Sequence, residues 1–200
     1  MVLVLGTGNR KKGLELIELL AAVGAELRTL ADFAEPIEVV ESGDTFAENA
    51  ALKAVEQARH LGQWVLAEDS GLMVDALEGR PGVYSARYSG PDATDASNNE
   101  LLLKELGETP IARRTARYVC HMTLSDPEGT IRAESEGYCR GRILTEPRGT
   151  GGFGYDPLFE VVEYHRSFGE LGPVAKACLS HRARAARRLL PQLFRLDDLG

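Results

Sequence analysis

The chain has 200 residues, 44% of them hydrophobic, and a formal net charge of −7. That is apolar material for one sizeable core or for two small lobes, and the acidic balance excludes general binding to nucleic-acid backbones, which requires a basic face. The longest apolar run falls well short of the roughly 18 residues of a membrane span, and Cys120, Cys139 and Cys178 are too scattered for a disulfide framework or a zinc site.

In MVLVLGTGNRKK the apolar segment precedes the basic residues, the reverse of a secretory signal, so a cytoplasmic location is expected. Residues 2 to 5 read as a short buried strand. Residues 10 to 22 read as a helix with Leu14, Ile17, Leu20 and Ala21 inward, and 26 to 30 as a second strand. Residues 31 to 43 are acidic and irregular. Thr45 and Glu48 then form a capping box that opens a helix to about Leu61. Residues 63 to 68 form a third strand, whose apolar run from 64 to 67 carries Glu68 and Asp69 to its C-terminal end. EGRPGVYSARYSG is a structured loop, and residues 98 to 106 form a short helix stopped by Gly107. From Arg113 the period is two: Ala116, Tyr118, Cys120 and Met122 alternate with Arg117, Val119, His121 and Thr123. A turn at 126 to 129 returns residues 130 to 137 as a hairpin partner. A last helix spans about 179 to 193 and contains Pro191. The β-α-β-α-β start followed by antiparallel strands implies a mixed α/β sheet with flanking helices in two lobes.

Several stretches carry candidate chemistry. GTGNRKK leads from strand to helix, so its amide groups, with Lys11 and Lys12 beside them, suit a phosphate; it also fits an ordinary turn with solvated lysines. It lacks the Walker A pattern. GTGGFG (149 to 154) satisfies G-x-G-x-x-G only formally, since no apolar strand precedes it and Tyr155-Asp156-Pro157 follows where a helix should open. Glycines beside Phe153 and Tyr155 suit a backbone approaching a flat ligand, or simply a tight turn. His181 and Arg182 in SHRAR sit in a helix's first turn, where cations oppose the dipole and call for an anion or acceptor; a solvated basic helix is the plainer reading. His60, His121 and His165 have no ligand or triad spacing, and Ser70 lacks a nucleophile elbow. Glu68 and Asp69, with Glu41, form a hard oxygen set that would suit magnesium carrying phosphates; a turn role for one carboxylate is the alternative.

TGNRKK (7 to 12), SGDTFAENAALKA (42 to 54), AEDSGLMVDALEGRPGVYSARYSG (67 to 90), GTGGFGYDPLF (149 to 159) and SHRARA (180 to 185) together resemble, in order and over nearly the whole chain, the inosine/xanthosine triphosphate pyrophosphatases. The resemblance implies a house-cleaning hydrolase that converts deaminated purine nucleoside triphosphates (ITP, dITP, XTP) to the monophosphate and pyrophosphate. It implies magnesium dependence, a single elongated α/β domain over 1–200 with the site in a cleft between two lobes, and a homodimer without nucleic-acid or membrane partners. Carried over by position, Thr7, Gly8, Asn9, Arg10, Lys11 and Lys12 line the triphosphate, and Lys12 also assists catalysis. Glu41 and Asp69 go with the metal, and Asp69 is also the general base. Lys53 and Ser70 touch substrate. Phe153, Gly154, Tyr155 and Asp156 form the base and sugar pocket with Lys176, His181 and Arg182. Two features depart from the family pattern: Glu68 stands where many bacterial relatives have Asp, and LGPVAK lacks the acidic residues that usually precede its lysine.

Overall fold

In the computed structural model, which describes residues 2–196, the leading apolar run and the one around residue 65 become neighbouring parallel strands. Strand β1 (Val2–Leu5) lies between β2 (Glu26–Thr29) and β3 (Trp64–Val74), with Leu3, Val4 and Leu5 in register with Trp64, Val65 and Leu66. The crossovers that parallel pairing demands are helices α1 (Arg10–Leu20) and α2 (Phe46–Leu61). After α3 (Asp95–Leu106) come β4 (Thr115–Ser125), β5 (Ile131–Ile143), β6 (Phe159–Val161) and β7 (Arg166–Ser167), then α4 (Phe168–Leu179) and α5 (His181–Leu193). The sheet order is β2-β1-β3-β4-β5-β6-β7, and β6 is antiparallel to both its neighbours. This is the expected mixed α/β sheet with flanking helices.

The chain divides into two compact units. The described residues of unit 1 fall within Met1–Asp69, Cys120–Gly137 and Arg182–Gly200; those of unit 2 fall within Ser70–Val119 and Tyr138–His181. In unit 1 both faces of β1 and β3 are covered. Leu3, Leu5, Trp64 and Leu66 pack with Leu16 and Leu20 of α1 and Leu189 of α5, while Val4 and Val65 pack with Ala58 of α2. Unit 2 has its own core, centred on Tyr118, Phe159 and Phe168, where the two phenylalanine rings stack 5.6 Å apart.

The structure corrects several boundaries. Strand β3 does not end at the acidic pair: it continues to Val74, because Leu72 and Val74 resume the buried pattern and keep the strand in the unit 2 core. Glu68 and Asp69 are therefore mid-strand residues. Helix α3 starts earlier than periodicity suggested, since Thr94 caps it through Ser97. β5 runs on to Ile143, and Leu179 ends α4 rather than opening the last helix. Helix α4 itself escaped the sequence reading because Gly172 leaves helical geometry (φ 75°) immediately before Pro173, so two helical pieces meet there.

Gly141 of β5 is a steric requirement. A Cβ there would stand 2.6 Å from Phe159 Cζ and collide with the Glu160 carbonyl. Gly141→Ala is expected to lower unfolding free energy by roughly 1–3 kcal/mol, read as a reduced urea midpoint; an unchanged midpoint would mean that β6 shifts without cost.

Candidate active site

Alternation along β3 organises unit 1. Consecutive side chains of a strand point to opposite faces, so Glu68 follows Trp64 and Leu66 toward α1 and α5, while Asp69 follows Val65 toward α2. The adjacent carboxylates thus acquire separate partners.

On the first face, Arg182, 1% exposed, grips Glu68 as a fork: Nε donates to Oε2 at 2.7 Å and Nη2 to Oε1 at 2.8 Å. Its Nη1 donates to Glu15 Oε2 of α1 at 2.5 Å. Lys12 Nζ stands 3.4 Å from Glu68 Oε1, and the Cys120 thiol donates to Oε2 at 3.0 Å. Burial pushes the Glu68 carboxyl up, but the Arg182 guanidinium and then Lys12 overcome it and hold the group well below the usual carboxylate range. Burial, reinforced by Glu68, pushes the Cys120 thiol up, so the sulfur keeps its proton and serves as a donor. Arg182, expected at the substrate, pairs here with Glu68 and Glu15, and Glu68 in turn pairs with Lys12.

On the second face, Lys53 Nζ bridges Asp69 Oδ1 at 3.0 Å and Glu41 Oε1 at 3.2 Å. Helix α2 supplies this lysine and also anchors the irregular segment that carries Glu41. Gln57 Nε2 donates to the Ile37 carbonyl, the His60 ring meets the Glu35 carbonyl at 2.6 Å, and Asn49 Oδ1 accepts from Gly43 N–H at 2.8 Å. Asn49, fully buried, also directs its amide toward Asp69 Oδ2 at 3.5 Å. Asn49 and Gln57 lie on the inward stripe of α2 among Phe46, Ala50, Ala54 and Ala58. Polar residues on an otherwise apolar helical face are the signal that could have singled them out.

Asp69 is 5% exposed. Burial pushes its carboxyl above the ordinary value, Lys53 pulls it partway back, and Glu41 pushes it up again. This face is short of positive charge. Among the described residues no cluster of three or more His, Cys, Asp or Glu is poised for a metal. Two hard oxygen donors with a charge deficit do fit a cation such as magnesium, which takes one or two carboxylates and completes its shell with water and phosphate.

The loop after β1 precedes the first face. Asn9 caps α1, its Oδ1 accepting from Lys11 N at 3.0 Å and Lys12 N at 3.2 Å, and Thr7 Oγ1 accepts from Asn9 N. Two amide groups expected to be open to an anion are thus capped by the chain itself. Gly8, Arg10 and Lys11 are exposed.

Unit 2 gathers a second cluster. Asp156 Oδ2 accepts from Lys176 Nζ at 2.7 Å and from Phe153 N–H at 2.9 Å, and Lys176 Nζ lies 4.0 Å from the centre of the Phe153 ring. Tyr118 directs its hydroxyl to Asp156 Oδ1 at 3.4 Å and stacks on His181 at 4.7 Å. Burial and then Asp156 push the Tyr118 phenol well up, so it remains a donor. Tyr118 was missed because its alternating strand pattern reads as core. Tyr155, expected at a pocket, is buried, and its hydroxyl donates to the Ser85 carbonyl at 2.8 Å. Ser70 is half-buried in β3.

Glu68→Gln leaves the buried Arg182 fork without its charge, a change that costs about 3 kcal/mol or more for buried pairs. Because the folded Glu68 carboxyl lies well below the ordinary glutamate range, its stabilisation is full above that range and is lost as pH falls toward the folded value. Urea melts of wild type and Glu68→Gln are therefore expected to differ by a constant amount from neutrality down to about pH 5 and to converge below it. Equal stability at pH 7 would rule out the charge lock.

A model of the Ham1 family matches residues 3–192. The dITP/XTP pyrophosphatase of Rhodopirellula baltica is 57% identical over 194 residues, which cover 97% of this chain and 93% of that protein. A HAM1 protein from Coxiella burnetii shares the fold at a TM-score of 0.87 and 38% identity, covering 97% of this chain and 98% of that one. The dITP/XTP pyrophosphatase from Mycobacterium abscessus does so at 0.78 and 44%, covering 96% and 100%. With the family model spanning nearly all of the described residues, the chain belongs to the Ham1 family.

Proposed function

We propose that this protein hydrolyses deaminated purine nucleoside triphosphates (ITP, dITP and XTP) to the monophosphate and pyrophosphate, removing them from the nucleotide pool. The observation that carries the reading is the buried Asp69, short of positive charge and aligned by Lys53 and Asn49. Support comes from the relatives named dITP/XTP pyrophosphatase.

The groups around Asp69 take the triphosphate and perform the cleavage. Lys12, steered by Glu68, and Lys53 bind phosphate oxygens and offset charge on the departing pyrophosphate. Asp69 accepts a proton from the attacking water; the new bond joins that oxygen to the α-phosphorus, and the bond from the α-phosphorus to the bridging oxygen breaks. A carboxylate raised by burial is a stronger base than an exposed one. Glu41 and Asp69 would hold magnesium, which when bound supplies Lewis-acid neutralisation of the phosphates. Tight binding of a regulatory ligand would not require this paired carboxylate and lysine arrangement.

The base falls to Phe153 and its polar neighbours. Phe153 offers a ring for stacking, and Lys176 and His181 are donors suited to the 6-oxo group of hypoxanthine and xanthine. Adenine presents a 6-amino donor instead, and each donor left unpaired costs roughly 1–3 kcal/mol. A cytoplasmic homodimer completes the proposal; its mass is readable by light scattering.

The deciding experiment incubates the protein with magnesium and, separately, ITP, XTP, dITP, GTP, ATP and dUTP. Monophosphate plus pyrophosphate from the first three, with little from the others, is expected. Orthophosphate release would move the cleaved bond, and cleavage only of other nucleotides would overturn the base assignment. Asp69→Asn is expected to reduce turnover at least about a hundredfold without lowering thermal stability at pH 7. The sign follows from the raised carboxyl: the folded state holds the proton more tightly than the unfolded one, so ionised Asp69 costs stability as pH rises through that range. Near-normal turnover in this variant would remove Asp69 from the base role.

A further inference from the structure

The segment bearing Phe153 is gripped from outside its own loop. Gly154 N–H donates to Asp95 Oδ2 at 2.9 Å, and Asn99 Nδ2 donates to the Gly154 carbonyl at 2.9 Å. Asp95 is the first residue of α3 and Asn99 stands one turn on, so both side chains share a face. The Asn99 amide is oriented by its donor end, because Nδ2 also donates to the Asp95 carbonyl at 2.7 Å while the buried Oδ1 makes no hydrogen bond among the described residues.

Helix α3 is a rigid support. Leu102 and Leu106 are buried in the unit 2 core, and Asn98, 4% exposed, accepts from Ser89 N–H at 2.8 Å and donates to the Ala86 carbonyl at 3.2 Å. Gly154 needs that support. Its φ of 62° is a left-handed conformation, which lies outside any strand ladder, so its two polar groups must be satisfied individually. Asp95 and Asn99 satisfy one each. The preceding Phe153 is fixed at its own N–H by Asp156 and over its ring by Lys176, and the Gly154 grip fixes the following peptide.

We propose that Asp95 and Asn99 are positioning residues that lock the Gly154 peptide and thereby set the plane in which Phe153 meets the purine base. The proposal rests on the nucleotide reading above, with Phe153 as the base platform. Neither residue is assigned contact with substrate. A platform that must re-form on each encounter weakens binding alike in ground and transition states, so the signature is a raised KM with kcat retained.

The test combines ITP kinetics with amide exchange at Gly154, using Asp95→Ala, Asp95→Asn, Asn99→Ala and Asn99→Asp. In the two alanine variants KM is expected to rise roughly three- to tenfold, the loss of about one hydrogen bond, with kcat within about twofold. Asp95→Asn keeps an acceptor and restores KM toward the wild-type value. Asn99→Asp sets a carboxylate against two carbonyls and is expected to be worse than alanine, although a role in packing alone would tolerate so close an isostere. Exchange at Gly154 N–H is expected to accelerate at least about tenfold in Asp95→Ala and to slow again in Asp95→Asn. Unchanged KM in both alanine variants, or a wild-type KM in Asn99→Asp, overturns the proposal. If the wild type cleaves no deaminated purine nucleotide, the nucleotide reading fails on its own, and exchange still decides the grip: an unaltered Gly154 rate in Asp95→Ala overturns it.

Discussion

A β-strand turns successive side chains to opposite faces, and at Glu68–Asp69 that geometry separates two carboxylates that would repel each other side by side. Each then meets its own cations. Glu68 is neutralised by the Arg182 fork and Lys12, whereas Asp69 shares Lys53 with Glu41 and stays short of positive charge. The pleat thus gives one carboxylate a guanidinium fork and leaves the other short of positive charge. The rest of unit 1 follows: α1 must bring Lys12 and Glu15 to one face, α5 must insert Arg182 there, and α2 must bring Lys53 and Asn49 to the other.

Charge burial on this scale is tolerable because each group is paired and hydrogen-bonded. An isolated buried guanidinium or carboxylate would be strongly unfavourable. Arg182 spreads its donors over two carboxylates, and Glu68 accepts from a guanidinium and a thiol together. Asp69 is paired too, but it shares Lys53 with Glu41, so its charge is compensated less fully than that of Glu68, an imbalance that suits the proposed hydrolysis. Unit 2 shows the same economy. Asp156 ties Lys176, Phe153 and Tyr118 into one network, and α3 holds the adjoining peptide.

Much of this was legible in advance, because the local signals are strong. The Thr45–Glu48 capping box opens α2, the alternation from Ala116 marks β4, and the apolar runs at 2 to 5 and 64 to 67 are strands. Helix α4 was hidden, because Gly172 and Pro173 break its periodicity. Thr94, a single cap residue upstream of the apolar pattern, moved the start of α3. Among the candidate site residues, sequence singled out Lys12, Glu41, Lys53 and Asp69 as chemistry-bearing groups; the folded chain joins Glu41, Lys53 and Asp69 on one face of β3 and sets Lys12 beside Glu68 on the other. It could not reveal that Tyr155 serves as a buried anchor on Ser85, or that Asn49 and Tyr118 are parts of polar networks. Their partners lie far along the chain.

By itself, the sequence determined the elements whose signals are local, the mixed α/β class, and the family, which follows from motif blocks in order along almost the whole chain. Tertiary structure alone decided who pairs with whom. The partners Glu68 and Arg182 are 114 positions apart, and Asn99 and Gly154 are 55 apart. A hydrogen bond is set by a few tenths of an ångström and an angle, whereas periodicity reports only which face a side chain takes. That is why the acidic pair could be read as chemistry from the sequence, while the division of labour between Glu68 and Asp69 emerged only once the strand had folded into its sheet.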